Sequence, residues 1–138
     1  MPANTQPIFS IAGDAQWVTA TDANNVGNIT AGTIYLAFSA GTNGSYVQKI
    51  RFRHTGANSA AVVARVFINN GGATGTAANN TLFDEITIAA NATFTTNAAS
   101  TNYELPLGFA LPPTYRIYVA LGAAAAGGIA CTVIGGDY

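Results

Sequence analysis

Short apolar runs of strand length recur along the chain, each closed by Gly, Asn or Pro. They fall near residues 8–12, 16–20, 33–39, 46–54, 61–69, 81–88, 102–107, 115–121 and 129–134. No stretch of eleven or more residues carries apolar side chains at i, i+3 and i+4, so the pattern predicts strands and no significant helix. Even "GAAAAGG" at 122–128 is too short to nucleate a helix and is flanked by glycine; it reads as a loop. Eight or nine short strands with turn signals between them predict an all-β fold, a single antiparallel β-sandwich, and at this length an eight-stranded jelly roll.

Side chains alternate across a strand with period two. In "YVQKIRFRH" that rule sets Tyr46, Ile50, Phe52 and His54 on the core face, with Val47, Lys49, Arg51 and Arg53 opposite. In "YRIYVAL" it sets Tyr115, Ile117, Val119 and Leu121 inward and Arg116, Tyr118 and Ala120 outward. "LFDEITI" breaks the alternation, because Asp84 shares parity with Leu82, Ile86 and Ile88; a β-bulge there would re-aim it. The run 129–134 predicts a buried strand, followed by a Gly135-Gly136 turn that folds Tyr138 back. "NNGGATGTAANN" (69–80) reads as a flexible connector, and Pro106, Pro112 and Pro113 belong at strand edges and turns.

Composition changes the picture of the surface. Ala, Thr, Gly and Asn account for 72 of 138 residues, while charged residues are 8% and the net charge is -1. Val, Ile, Leu and Phe still make up 32 residues, enough for a core in a chain of this length. A surface of Thr, Asn, Gly and Ala repels its own copies weakly, which suits an assembly. Residues 1–138 read as one domain, with an N-terminal arm and first strands in 1–30 and the main sandwich in 31–138. "MPANTQPIFS" lacks a basic, then apolar, leader pattern, and no run reaches membrane-spanning length, so synthesis in a cytoplasm and no membrane partner are expected.

Candidate chemistry is sparse. His54 is the one histidine and Cys131 the one cysteine, the latter inside an apolar strand, where a small buried side chain is the plain reading. The six carboxylates are scattered and form neither a metal-ligand pattern nor a partner set for a nucleophile. The expectation is therefore no enzyme, no catalytic residues, no metal and no cofactor. Lys49, Arg51 and Arg53 line one strand face and are candidate contacts for an acidic partner, against the plainer reading of a solvated face met by Glu85 or Glu104. A pI near 5.5 argues against a nucleic-acid partner. Ile8, Phe9 and Ile11 form an alternating apolar run suited to strand addition on a neighbouring subunit. Trp17, Tyr35, Tyr46 and Tyr118 suggest an alternative, a sugar-stacking platform in a lectin-like sandwich, against core or subunit packing.

The series "GTIYLAFSAGTNGSYVQKIRFRHTGANSAAVVARVFINN" (32–70), "TLFDEITI" (81–88), "LPLGFALPPTYRIYVAL" (105–121) and "GGDY" (135–138) resembles head decoration or accessory capsid proteins of tailed bacteriophages, of the jelly-roll type. The resemblance spans about three quarters of the chain. It implies a non-enzymatic structural protein of the virion, made in the host cytoplasm. It further implies a homotrimer bound to the major capsid protein on the outside of an icosahedral head.

Overall fold

The computed structural model describes residues 9–24, 28–95 and 97–138. Eight strands form: β1 (Ala12–Ala20), β2 (Tyr35–Ser39), β3 (Ser45–His54), β4 (Val62–Asn69), β5 (Asn80–Ile88), β6 (Tyr103–Leu111), β7 (Arg116–Leu121) and β8 (Ile129–Asp137). They make two antiparallel four-stranded sheets, in the orders β1-β8-β3-β6 and β2-β7-β4-β5. β1 pairs with β8, β2 with β7, β3 with β6 and β4 with β5, so the chain is one long hairpin wound into a sandwich. That is the jelly-roll arrangement predicted from the strand pattern. The one helical element among the described residues is a 3-10 turn at Ala77–Asn79.

The core lies between the sheets, where Phe38, Val47, Ile50, Phe52, Val66, Ile117, Leu121, Ile129 and Val133 are fully buried. Strand β7 is buried on both sides. Its Ile117, Val119 and Leu121 face the core, while Tyr118 and Ala120 pack with Phe67 under Ile29 and Ile34, which cover the outside of that sheet. The predicted alternation therefore holds, but the expected outer face is roofed by residues 28–34.

Three expectations need correction. Gln48 is an extra residue between Val47 and Lys49, so the register of β3 shifts against both neighbours. The bulge reverses the alternation: Val47 enters the core and Tyr46 turns outward with Lys49, Arg51 and Arg53. Opposite Gln48, β6 answers with Leu107 and Gly108, the latter at φ +70°, a conformation that costs glycine little. Next, 8–12 and 16–20 are not two strands; 12–20 is one, and Ile8 lies outside the described residues. The polar residues that interrupt its apolar pattern, Asp14 and Gln16, are hydrogen-bonded at the rim of the sandwich. Finally, Gly135 and Gly136 form no turn. They lie within β8, between β1 and β3, and a Cβ on Gly135 would collide with the Tyr46 carbonyl.

A bulge is present in "LFDEITI", with Phe83 as the extra residue, but it re-aims Leu82, opposite Phe67, and leaves Asp84 on the side of Ile86 and Ile88; Phe83 packs edge-on against Phe109 of β6 at 5.0 Å. Segment 69–80 is better ordered than a flexible connector, because asparagines tie it together. Asn69 bonds Gly72 O and Asn80, Asn79 bonds Ala73 O, and Asn80 bonds Thr74 O. Pro106 lies in β6, an edge strand where a missing N–H is tolerated, and Pro112 and Pro113 lie in the turn after it.

Candidate functional site

The outer face of the β1-β8-β3-β6 sheet gathers most of the residues singled out from the sequence. Register places them in rows across four strands. One row runs Ala15, Ile134, Lys49, Pro106; the next runs Trp17, Thr132, Arg51, Glu104; a third joins Thr19, Ala130 and Arg53. The middle of the face is thus the β8 strip of Ile134, Thr132 and Ala130. Trp17 borders it on one side and the basic residues of β3 on the other.

The basic stripe is largely met from β6. Glu104 accepts from Arg51 Nη2 at 2.7 Å and Nε at 2.9 Å, from Lys49 Nζ at 3.2 Å, and from Asn102 Nδ2 at 3.2 Å. These donors, Arg51 first, hold its carboxyl down to about 2. Arg53 Nη2 donates to the Ser100 carbonyl at 3.1 Å. The plainer reading of the stripe therefore holds for Lys49 and Arg51 with Glu104, whereas Glu85 pairs with Arg65 on the other sheet at 3.2 Å. Asp84 and Glu85 stand opposite Val66 and Arg65, on opposite faces of their strand.

Apolar exposure concentrates along β1 and the residues before it: Phe9 is 76% exposed, Ile11 85% and Trp17 71%. Strand β1 is the outer strand of its sheet among the described residues, with no bulge in its pairing with β8, and its outer edge meets β2 through the Gln16 side chain at Ser39. Such an edge offers unpaired N–H and C=O groups beside large apolar side chains.

The four aromatics do not form one platform. Tyr35 packs against the core, and its hydroxyl accepts from the main-chain N–H of Thr21 and of Asp22. Tyr118 is buried beneath Ile29 on the opposite sheet. Trp17 and Tyr46 both sit on the outer face of the first sheet, on strands separated by β8. The sequence reading missed Phe94, which is exposed in the connection between β5 and β6. It rims a groove of about 570 Å³ with Arg53, Thr55, Thr95, Asn97 and Ser100. A lone aromatic within an Ala, Thr and Asn stretch was the available signal.

Cys131 faces the core, and burial pushes its thiol up to about 12, so it is a neutral packing side chain. Among the described residues no group of three or more His, Cys, Asp or Glu is placed to hold a metal ion. Among them, too, no helix is long and apolar enough to cross a membrane.

No protein-family model matches the chain, and no curated protein does. Among solved structures it is similar to capsid chains of infectious bursal disease virus. One, from a crystal structure of the viral particle, gives a TM-score of 0.37 at 16% identity, covering 99% of this chain and 36% of that one. A mutant VP2 protein in derived particles gives 0.32 at 18%, covering 99% and 40%. The Gt strain gives 0.31 at 20%, covering 98% and 36%. The chain thus spans well under half the length of each of these capsid chains.

Proposed function

We propose that the chain is a structural virion protein, a jelly roll that associates as a homotrimer and decorates or reinforces an icosahedral phage head by binding the major capsid protein. The observation that carries this reading is the β1 edge, where Phe9, Ile11 and Trp17 are exposed beside a sheet face on which Lys49 and Arg51 are paired with Glu104. Large apolar side chains exposed along one strand of a small domain are a mark of a protein interface. The resemblance of residues 32–138 to head decoration proteins supplies the kind of partner. Lys49, Arg51 and Arg53 flank the same face and supply rim contacts, and Ile8, Phe9 and Ile11 supply the strand that adds to a neighbour.

Light scattering tests self-association: the purified protein is expected at about three times its 14.1 kDa chain mass, and a clean monomer at micromolar concentration defeats the trimer. Co-sedimentation with preassembled phage heads tests the capsid role. Trp17→Ser and the triple change of Lys49, Arg51 and Arg53 to Gln are expected to weaken retention while leaving the fold intact. Full retention of both variants at low and high salt would remove this face from the interface. A glycan-binding reading has no assembled aromatic platform to stand on.

A further inference from the structure

One end of the sandwich is held by a buried side-chain network whose polarity follows from its main-chain members. Gly127 N–H donates to Asn58 Oδ1 at 2.8 Å, which fixes the oxygen side of that amide, and Asn58 Nδ2 donates to the Gly128 carbonyl at 3.2 Å. The same Nδ2 stands 2.8 Å from Nδ1 of His54. An amide NH₂ only donates, so Nδ1 there carries a lone pair and the ring hydrogen sits on Nε2, 3.0 Å from the Ala89 carbonyl. His54 and Asn58 are 5% and 4% exposed. The main chain of Asn58 also exchanges two hydrogen bonds with Asn91, at 2.9 and 2.8 Å.

We propose that this network is an acid-sensitive latch, in which a proton taken up from solvent at His54 Nδ1 releases the loops that meet at Asn58. The new N–H would face the Asn58 NH₂, donor against donor, in a site with no room for water to mediate at 2.8 Å. Turning the Asn58 amide gives no escape. It would set NH₂ against the Gly127 N–H and the oxygen against the Gly128 carbonyl, breaking both anchors of the 122–128 loop.

The surroundings offer the imidazolium no counter-charge. Residues 55–61, 89–95, 97–102 and 122–128, which surround that end of the sandwich, contain no acidic or basic side chain. On its own strand the neighbour is Arg53, a cation, and beyond it Arg51. On the strands packed around it, Glu104 is engaged by Arg51 and Lys49, Glu85 by Arg65, and Asp137 by Ser45 at the far end of β8. Opening lets a hydrogen on Nδ1 turn away from the Asn58 NH₂ and toward solvent. Acid therefore favours opening. With His54 the single histidine, the response is that of one proton.

Amide hydrogen exchange on the full chain, corrected for the intrinsic pH dependence of exchange, tests this at about pH 7.5 and about pH 5. Protection at Asn58, Asn91 and Gly127 is expected to fall about tenfold or more in acid, while amides at the centres of β3 and β8 hold. Nitrogen NMR at the higher pH should show the Nε2–H form. In Asn58→Asp a carboxylate oxygen faces Nδ1 and accepts its hydrogen, so the acid loss should disappear. In His54→Gln no titrating ring remains, and protection should be the same at both pH values. Unchanged protection in the native chain overturns the latch, as does an acid loss that persists in either variant.

Discussion

Gln16, on the edge strand of one sheet, holds both main-chain groups of Ser39 on the edge strand of the other. Its Nε2 donates to the Ser39 carbonyl and its Oε1 accepts the Ser39 N–H, each at 2.9 Å. The second Nε2 hydrogen goes to Asp14 Oδ2 at 2.7 Å, which orients the amide. A side chain here does what a paired strand residue would do, and it stitches the two sheets where each lacks a neighbour.

Gln16→Ala removes three hydrogen bonds at a half-buried rim, two of them to Ser39, and a loss of about 1–3 kcal/mol is expected in urea unfolding. Gln16→Glu keeps the acceptor but sets a carboxylate against the Ser39 carbonyl and Asp14. Its deficit should shrink as pH falls and the protonated acid regains a donor.

Glu104 should stay ionised far into acid. Its carboxyl is lowered from the ordinary value to about 2, so the contribution of its contacts is present above that ordinary value and is lost as pH falls toward 2. Carbon NMR of the carboxyl should show this titration. Arg51→Gln should move it upward more than either Asn102→Ala or Lys49→Gln, because the Arg51 hydrogen bonds are the leading cause. The group is solvent-accessible, so the readout is the titration and not the melting temperature.

Cys131 should be silent toward thiol reagents at mildly alkaline pH while the protein is folded, and react fully once it is unfolded. Burial holds the thiol protonated and out of reach. Native-state modification matching the unfolded rate would show that β8 opens without global unfolding.

Gly135→Ala should be among the costlier single-methyl additions in the chain. The new Cβ would collide with the Tyr46 carbonyl, a main-chain group, so β8 and β3 would have to part. A loss of about 1–3 kcal/mol or more is expected in thermal or denaturant unfolding. Gly75→Ala, where a Cβ meets nothing within 4 Å, is the matched control.

Strand number, the absence of long helix and the inward face of β7 were legible because apolar spacing reports burial directly. What spacing does not report is where two residues oppose one. Gln48 carries no signal of its own; the bulge becomes visible only when Gly135 and Gly108 are seen across from it, and both are remote in sequence. The same holds for Gly135 and Gly136, which read locally as a turn and are in fact the close approach of two strands. For the candidate site, the Lys49, Arg51 and Glu104 cluster was legible as alternation plus a matching acid. Trp17 was not, because its outward position depends on β1 running unbroken through Asp14 and Gln16, whose partners lie on other parts of the chain.

The winding of one long hairpin into the sandwich sets an order in time. Strands β4 and β5 meet through the short asparagine-tied connection of residues 70–79, whereas β1 finds β8 only by bringing Ala12 to Asp137. Closing short loops first costs the least entropy, so the β4 and β5 pair is the natural nucleus and β1 the last strand to dock. Weakening the asparagine ties should slow folding. Weakening the Gln16 stitch should leave the folding rate alone and speed unfolding, so the edge strand sets how long the native state lasts, not how quickly it is reached.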